Sequence, residues 1–164
     1  MTVASMKQSS ILQGVAQKGS VLQVVSAFKD DVFSMTGTTL VDITGLSVAI
    51  TPSSSSSKML VLVASVLGNS EVKVTSLGLL RNTTLIAPGS GGASSRSYDA
   101  FLDQETDASH IPAVFSFLDS PGSGAEITYK VQMRVSGGTG YVNRRGTSST
   151  LGANSSLTVM EVAG

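Results

Sequence analysis

Any chemistry this chain performed would have to be organised around very few groups. It has one histidine, His110, in the stretch Asp107-Ala-Ser-His-Ile-Pro112, and no cysteine. A Ser-His-Asp relay needs a base held against the nucleophile, and the Gly-x-Ser-x-Gly elbow occurs nowhere in the sequence. Four acids, Asp99, Asp103, Glu105 and Asp107, fall within nine residues. Calcium loops need tighter spacing and a glycine at the sharp turn, so this stretch reads as a polar surface loop and no metal is expected. Gly89-Ser-Gly-Gly92 lacks the following lysine and the strand-to-helix passage of a phosphate cradle. Asn82-Thr-Thr84 and Asn154-Ser-Ser156 match the glycosylation acceptor, which carries weight only behind a secretory signal. Arg144-Arg145, beside Tyr141 and Asn143, has the most chemical content. An arginine pair with a tyrosine can grip a sugar, an anion or a partner carboxylate; a solvated hairpin tip is the other reading. The expectation is a protein that is not an enzyme and uses no cofactor.

Composition narrows the class further. Eleven Lys and Arg balance eleven Asp and Glu over 164 residues, so the electrostatic footprint of a nucleic-acid binder is missing. No apolar run approaches the ~20 residues that span a bilayer, and no apolar segment suited to a signal peptide follows Lys7. Neither nucleic acid nor membrane is expected as a partner. Hydrophobic residues make up 41% of the chain, enough for a packed core, whereas only 13% are charged. Ser, Thr and Gly together supply 60 residues. A surface so low in charge and side-chain entropy suits a packed assembly.

The elements that must carry these residues follow a period of two. Ala125, Ile127, Tyr129, Val131, Met133 and Val135 alternate with Glu126, Thr128, Lys130, Gln132 and Arg134, which predicts a strand with one buried and one wet face. Leu46, Val48 and Ile50 alternate with small polar residues up to Pro52. Residues 58–67, Lys-Met-Leu-Val-Leu-Val-Ala-Ser-Val-Leu, are apolar on both faces and predict a central strand covered on both sides. Further strands are expected over residues 21–27, 31–35, 113–119 and 157–162, and in an extended path from Val72 through Leu85. Turn chemistry separates them, including Thr44-Gly45, the serine run 53–57 and Gly137–Gly140. About eight short strands with little helical pattern give an all-β, antiparallel β-sandwich, jelly-roll-like, as the leading fold. Strand order and pairing are not legible at this level.

Residues 1–19 break the alternation. Ile11, Leu12 and Val15 have helix-compatible spacing interrupted by Gly14. The expected division is an N-terminal arm over 1–19 and a jelly-roll-like domain over 20–164. The three apolar residues are candidates for anchoring the arm to a partner. Two irregular stretches, residues 88–110 and 137–152, are candidate recognition loops carrying Arg96, Tyr98, Tyr141, Arg144 and Arg145.

Several segments resemble a known family when taken together: Gly19-Ser-Val-Leu-Gln-Val-Val-Ser26, residues 41–52 with the serine run, Lys58-Met-Leu-Val-Leu-Val63, Phe115-Ser-Phe-Leu-Asp-Ser-Pro121, Ile127-Thr-Tyr-Lys-Val-Gln132 and Leu157-Thr-Val-Met-Glu-Val-Ala-Gly164. The string is similar to a domain of virion structural proteins of tailed bacteriophages, of the tail-fibre-head or capsid-decoration type. The resemblance implies a β-sandwich, a homotrimer, and a place on the outer surface of the phage particle. It brings no catalytic residues. With no heptad, collagen-like or β-helix repeat to build a shaft, the expected role is a capsid cement or decoration protein contacting the major capsid protein. The alternative is a tail fibre or spike head, attached to a tail component and binding a host-surface glycan.

Overall fold

The structure, a computed structural model, describes residues 17–89, 97–101, 110–148 and 152–164, the side chains of 99–101 excepted. Its elements are all strands. They are β1 (Val21–Lys29), β2 (Phe33–Met35), β3 (Val41–Ile50), β4 (Lys58–Asn69), β5 (Val74–Arg81), β6 (Thr84–Ile86), β7 (Tyr98–Phe101), β8 (Ile111–Asp119), β9 (Ile127–Val135), β10 (Gly140–Val142) and β11 (Ser155–Val162). Seven of them are long and the other four have three or four residues; the eight expected strands correspond to the long set plus β2, while β6 falls within the path expected from Val72 to Leu85, and β7 and β10 lie in stretches expected to be loops.

Two antiparallel sheets face each other. In sheet A, β1 pairs with β11, β11 with β4 and β4 with β8, while β10 and β2 extend the sheet beside the end of β4. In sheet B the order is β3-β9-β5, with β6 and β7 side by side along the far edge of β5. Successively inner partners, β1 with β11, β3 with β9, β4 with β8 and β5 with β6 and β7, are the two halves of one long hairpin rolled up. The fold is therefore a jelly-roll sandwich.

Alternation places the core. Every odd residue of β9 from Ile127 to Val135 is buried, and these pack against Leu77 and Leu79 of β5, Ile43, Leu46, Val48 and Ile50 of β3, and Met59, Val61, Val63, Leu157 and Val159 from sheet A. In β3 the buried positions step by three between Ile43 and Leu46. Gly45, at φ +88°, supplies that extra residue as a bulge, and the register with β9 shifts there. Thr44-Gly45 is thus an irregularity inside a strand and not a turn between strands. The extended path expected from Val72 to Leu85 is instead a tight hairpin: Arg81 pairs with Thr84 around Asn82, which takes φ +55°.

Residues 58–67 do form the central strand of their sheet, but the described residues cover them on one side only. Met59, Val61, Val63 and Leu67 are buried on the core face. Leu60, Leu62 and Val66, on the opposite face, are only half-buried and Ala64 is exposed. The outer side of sheet B is mixed in character, with Leu80 buried there opposite Leu85 and Lys130. The outward residues of β9 are Thr128, Lys130, Gln132 and Arg134, and Lys130 is ion-paired with Asp42 of β3 at 2.8 Å.

Candidate interaction surface

The outer face of sheet A can be read row by row from the strand register. One row runs Val24, Met160, Leu60, Leu118; the next Ser26, Thr158, Leu62, Ser116; the third Phe28, Ser156, Ala64, Val114; and Val66 sits beside Pro112 beyond it. None of these side chains is charged. Val24, Phe28, Val114 and Leu118 are 53%, 65%, 66% and 50% exposed. Between the second and third rows lies a shallow depression of ≈ 520 Å³ lined by Leu62, Ala64, Val114, Ser116, Ser156 and Thr158. Strand spacing and rise give the apolar face an area of roughly 400 Å², in the range of the largest patch on an ordinary monomer, which is often functional.

Among the described residues, charge appears at the two ends of this face. Lys58 closes it where β1 and β11 meet. At the other end Tyr141 stands opposite Gly68, and the Arg144 guanidinium lies 4.3 Å above the Tyr141 ring, a cation–π contact. Gly68 is required there, because a Cβ would overlap the Arg144 carbonyl. Asn143, fully buried at φ +64°, fixes the segment from below. Its Nδ2 donates to the carbonyls of Lys29 and Asp31 at 2.9 and 3.0 Å, and Ser155 Oγ donates to its Oδ1 at 2.6 Å. The described part of residues 137–152 is therefore more regular than expected, with β10 inside it and Arg144 bridged to Gly152.

The structure brings Tyr141 and Arg144 together and sets Arg145 next to them with its Nε buried and without a hydrogen-bond partner. His110 Nε2 is likewise buried and without a hydrogen-bond partner. Tyr98 has its own contacts: its ring stacks on Phe115 at 5.8 Å, and its hydroxyl donates to the Pro112 carbonyl at 3.3 Å. Ile11, Leu12, Val15 and Arg96 lie outside the described residues, as do Asp103 and Asp107. Among the described residues no three metal-ligating side chains cluster, and no helix is long and apolar enough to cross a membrane.

Two features escaped the sequence reading. One is the outer face itself, whose signal was the double-sided apolarity of residues 58–67. The other is Glu161, fully buried at the end of sheet A. Its carboxylate accepts from Gln23 Nε2 at 2.6 Å, from the Ser53 amide at 2.6 Å and from Ser53 Oγ at 3.0 Å. Burial works to raise its pKa, but hydrogen bonds from Ser57, Gln23 and Ser53 outweigh it and hold the carboxyl below the usual value. The serine run is the cradle of this carboxylate.

No known protein family matches the chain, and no curated protein does. Virus particles are among the solved structures that match. The chain is similar to infectious bursal disease virus, Gt strain, at 14% identity and a TM-score of 0.43, covering 87% of this chain and 38% of the other. It is similar to the T13 particle of that virus at 14% identity and 0.44, covering 98% and 40%. For its T=1 particles the values are 16% and 0.42, covering 86% and 36%. The chain thus spans about two fifths of the length of the chains it matches. The bacteriophage resemblance is corrected by this outcome: the matching particles are not those of a tailed phage, and neither the decoration-protein nor the tail-fibre expectation is retained.

Proposed function

We propose that this chain is a non-catalytic structural subunit of a virion, which builds a multi-copy shell by packing the outer face of sheet A against neighbouring subunits. The observation that carries the reading is the contrast between the two sheets, one charged on its outer side and the other uncharged over three consecutive rows of residues. Jelly rolls recur in viral capsid and lectin domains, but a fold alone assigns no function; the uncovered face does the discriminating. At roughly 400 Å² it is about half of what one partner contributes to a stable pairwise interface. That scale suits a subunit held by several neighbours, with a homotrimer as the smallest closed form.

Sedimentation of the purified chain across a concentration series tests this. The expected result is multi-copy species for the wild type and a 16.8 kDa monomer for Val114→Lys combined with Leu118→Lys, both giving the same β-sheet circular dichroism. A wild type that stays monomeric at every concentration overturns the reading.

A further inference from the structure

We infer that the outer edge of β8 is a self-pairing site, at which two copies of the chain join antiparallel about a two-fold axis through Ser116 and continue sheet A from one subunit into the next. The inference rests on the assembly reading in taking a second copy as the partner, and adds a contact at the edge of the sheet to the one on its face.

Main-chain direction is the first ground. The nine residues of β8 pair with β4 in one unbroken register. Alternate residues of an antiparallel strand turn their main-chain groups toward the partner and away from it. Pro112, opposite Val66, has no N–H to give β4, and its carbonyl accepts from the Tyr98 hydroxyl at 3.3 Å. It belongs to the set that turns away, the position an edge strand allows a proline. By the same alternation Val114, Ser116 and Leu118 turn away, each presenting an N–H and a C=O. All three are exposed, and among the described residues no strand pairs with this side of β8.

The lack of a guard is the second. Sheet edges are normally blunted by charge, bulges or a covering element. Register shifts interrupt β1 at Val21–Gln23 and β3 at Asp42–Ser47, and β6 and β7 cover the far edge of β5. From Ile111 to Leu118 there is neither a charged side chain nor a shift in register.

Self-complementarity is the third. Val114-Phe115-Ser116-Phe117-Leu118 reads alike by residue class in both directions, as pairing of one patch with its own copy requires. Centred on Ser116, the pairing sets Val114 against Leu118 of the second copy on the outer face and Ser116 against its own copy. On the other side of the sheet it sets Phe115 against Phe117, both half-buried in the single chain. Aromatic and aliphatic cross-strand pairs of this kind are stabilising. The outward groups of the two strands make about six main-chain hydrogen bonds, and the uncharged outer faces of the two subunits become continuous. A two-fold contact at the edge combines with further contacts on the face in one closed assembly.

The register is tested by cross-linking, since the chain has no cysteine. Across such a pair the two Ser116 Cα atoms lie about 5.5 Å apart, within disulfide reach, whereas the two copies of Val114 lie about 14 Å apart. Ser116→Cys, oxidised at the top of the concentration series, should run largely at dimer mass on a non-reducing gel. Val114→Cys and Ser26→Cys, exposed on the same face, should stay at monomer mass. No link at position 116, or equal linking by all three, overturns the pairing. Ser116→Pro removes an outward N–H and leaves the bonds to β4 in place. It should raise the concentration of half-association about tenfold, as expected when each copy loses a main-chain hydrogen bond, with unchanged β-sheet circular dichroism; an unchanged concentration counts against the pairing. If that variant does not fold, the cysteine series decides. A wild type that sediments as multi-copy species but gives no link at position 116 overturns the edge pairing alone, whereas one that stays monomeric overturns the assembly reading and the pairing with it.

Discussion

The hydroxyl of Tyr129 donates to Oδ2 of Asp119 at 2.7 Å, joining the two sheets of the sandwich from inside. Arg81 completes the joint, its Nη1 lying 2.9 and 3.0 Å from the two carboxylate oxygens. Burial first, and then the bond to Asp119, push the Tyr129 hydroxyl pKa far above its usual value, so this phenol stays a donor at every pH at which the protein is handled. Tyr129→Phe removes one of three contacts to the carboxylate and should cost about 1–2 kcal/mol in urea unfolding. Asp119→Ala leaves both partners unpaired and should cost about 2–3 kcal/mol, moderated because the guanidinium reaches solvent. Equal losses for the two variants would argue against the joint.

Glu161 makes stability depend on pH in a known direction. Its folded pKa lies below the unfolded value, so the folded state binds fewer protons at that site. The resulting stabilisation is complete above the unfolded carboxyl range and is lost as pH falls through the folded pKa. Glu161→Gln should be less stable than wild type near neutrality by about 1–3 kcal/mol. Its stability should also fall less steeply below about pH 4.5. Parallel acid-unfolding curves for the two proteins would contradict the assignment.

Gly68 should not tolerate alanine. The added Cβ would meet backbone, the Arg144 carbonyl and the Gly146 amide, which cannot swing away as a side-chain tip can. The expected cost is about 1–3 kcal/mol. Displacement of the segment should also appear as loss of the Tyr141–Arg144 contact, visible as a change in tyrosine fluorescence or in Tyr141 ring shifts.

The two faces of sheet A should respond oppositely to truncation. Leu157→Ala, at a fully buried position, should cost about 2–5 kcal/mol of folding stability. Val114→Ala, on the outer face at 66% exposure, should change folding by no more than about 0.5 kcal/mol, while weakening association. Denaturant midpoints and sedimentation, measured on both variants, check the contrast.

Local pattern was enough to identify the class of fold and most strands, because alternation reports which side of a strand is buried without reference to its neighbours. The buried set of β9, from Ile127 to Val135, was legible to the residue for this reason. The same locality limits what can be read. The pairing of β1 with β11 joins residues more than a hundred positions apart, and nothing in either stretch names its partner. The bulge at Gly45 and the hairpin at Asn82 depend on backbone dihedrals at single positions, which a turn-prone dipeptide signals but does not place. Residues 58–67 show the division most clearly. Their sequence announces two apolar faces and a central position. Only the assembled sandwich decides that sheet B covers one of those faces and that no described residue covers the other, because coverage is a property of the whole packing and not of the strand. Glu161 is the converse case. A carboxylate on a buried face is visible as a conflict in the pattern, but its resolution by Gln23, Ser53 and Ser57 exists only once the turn after β3 is brought against the end of β11.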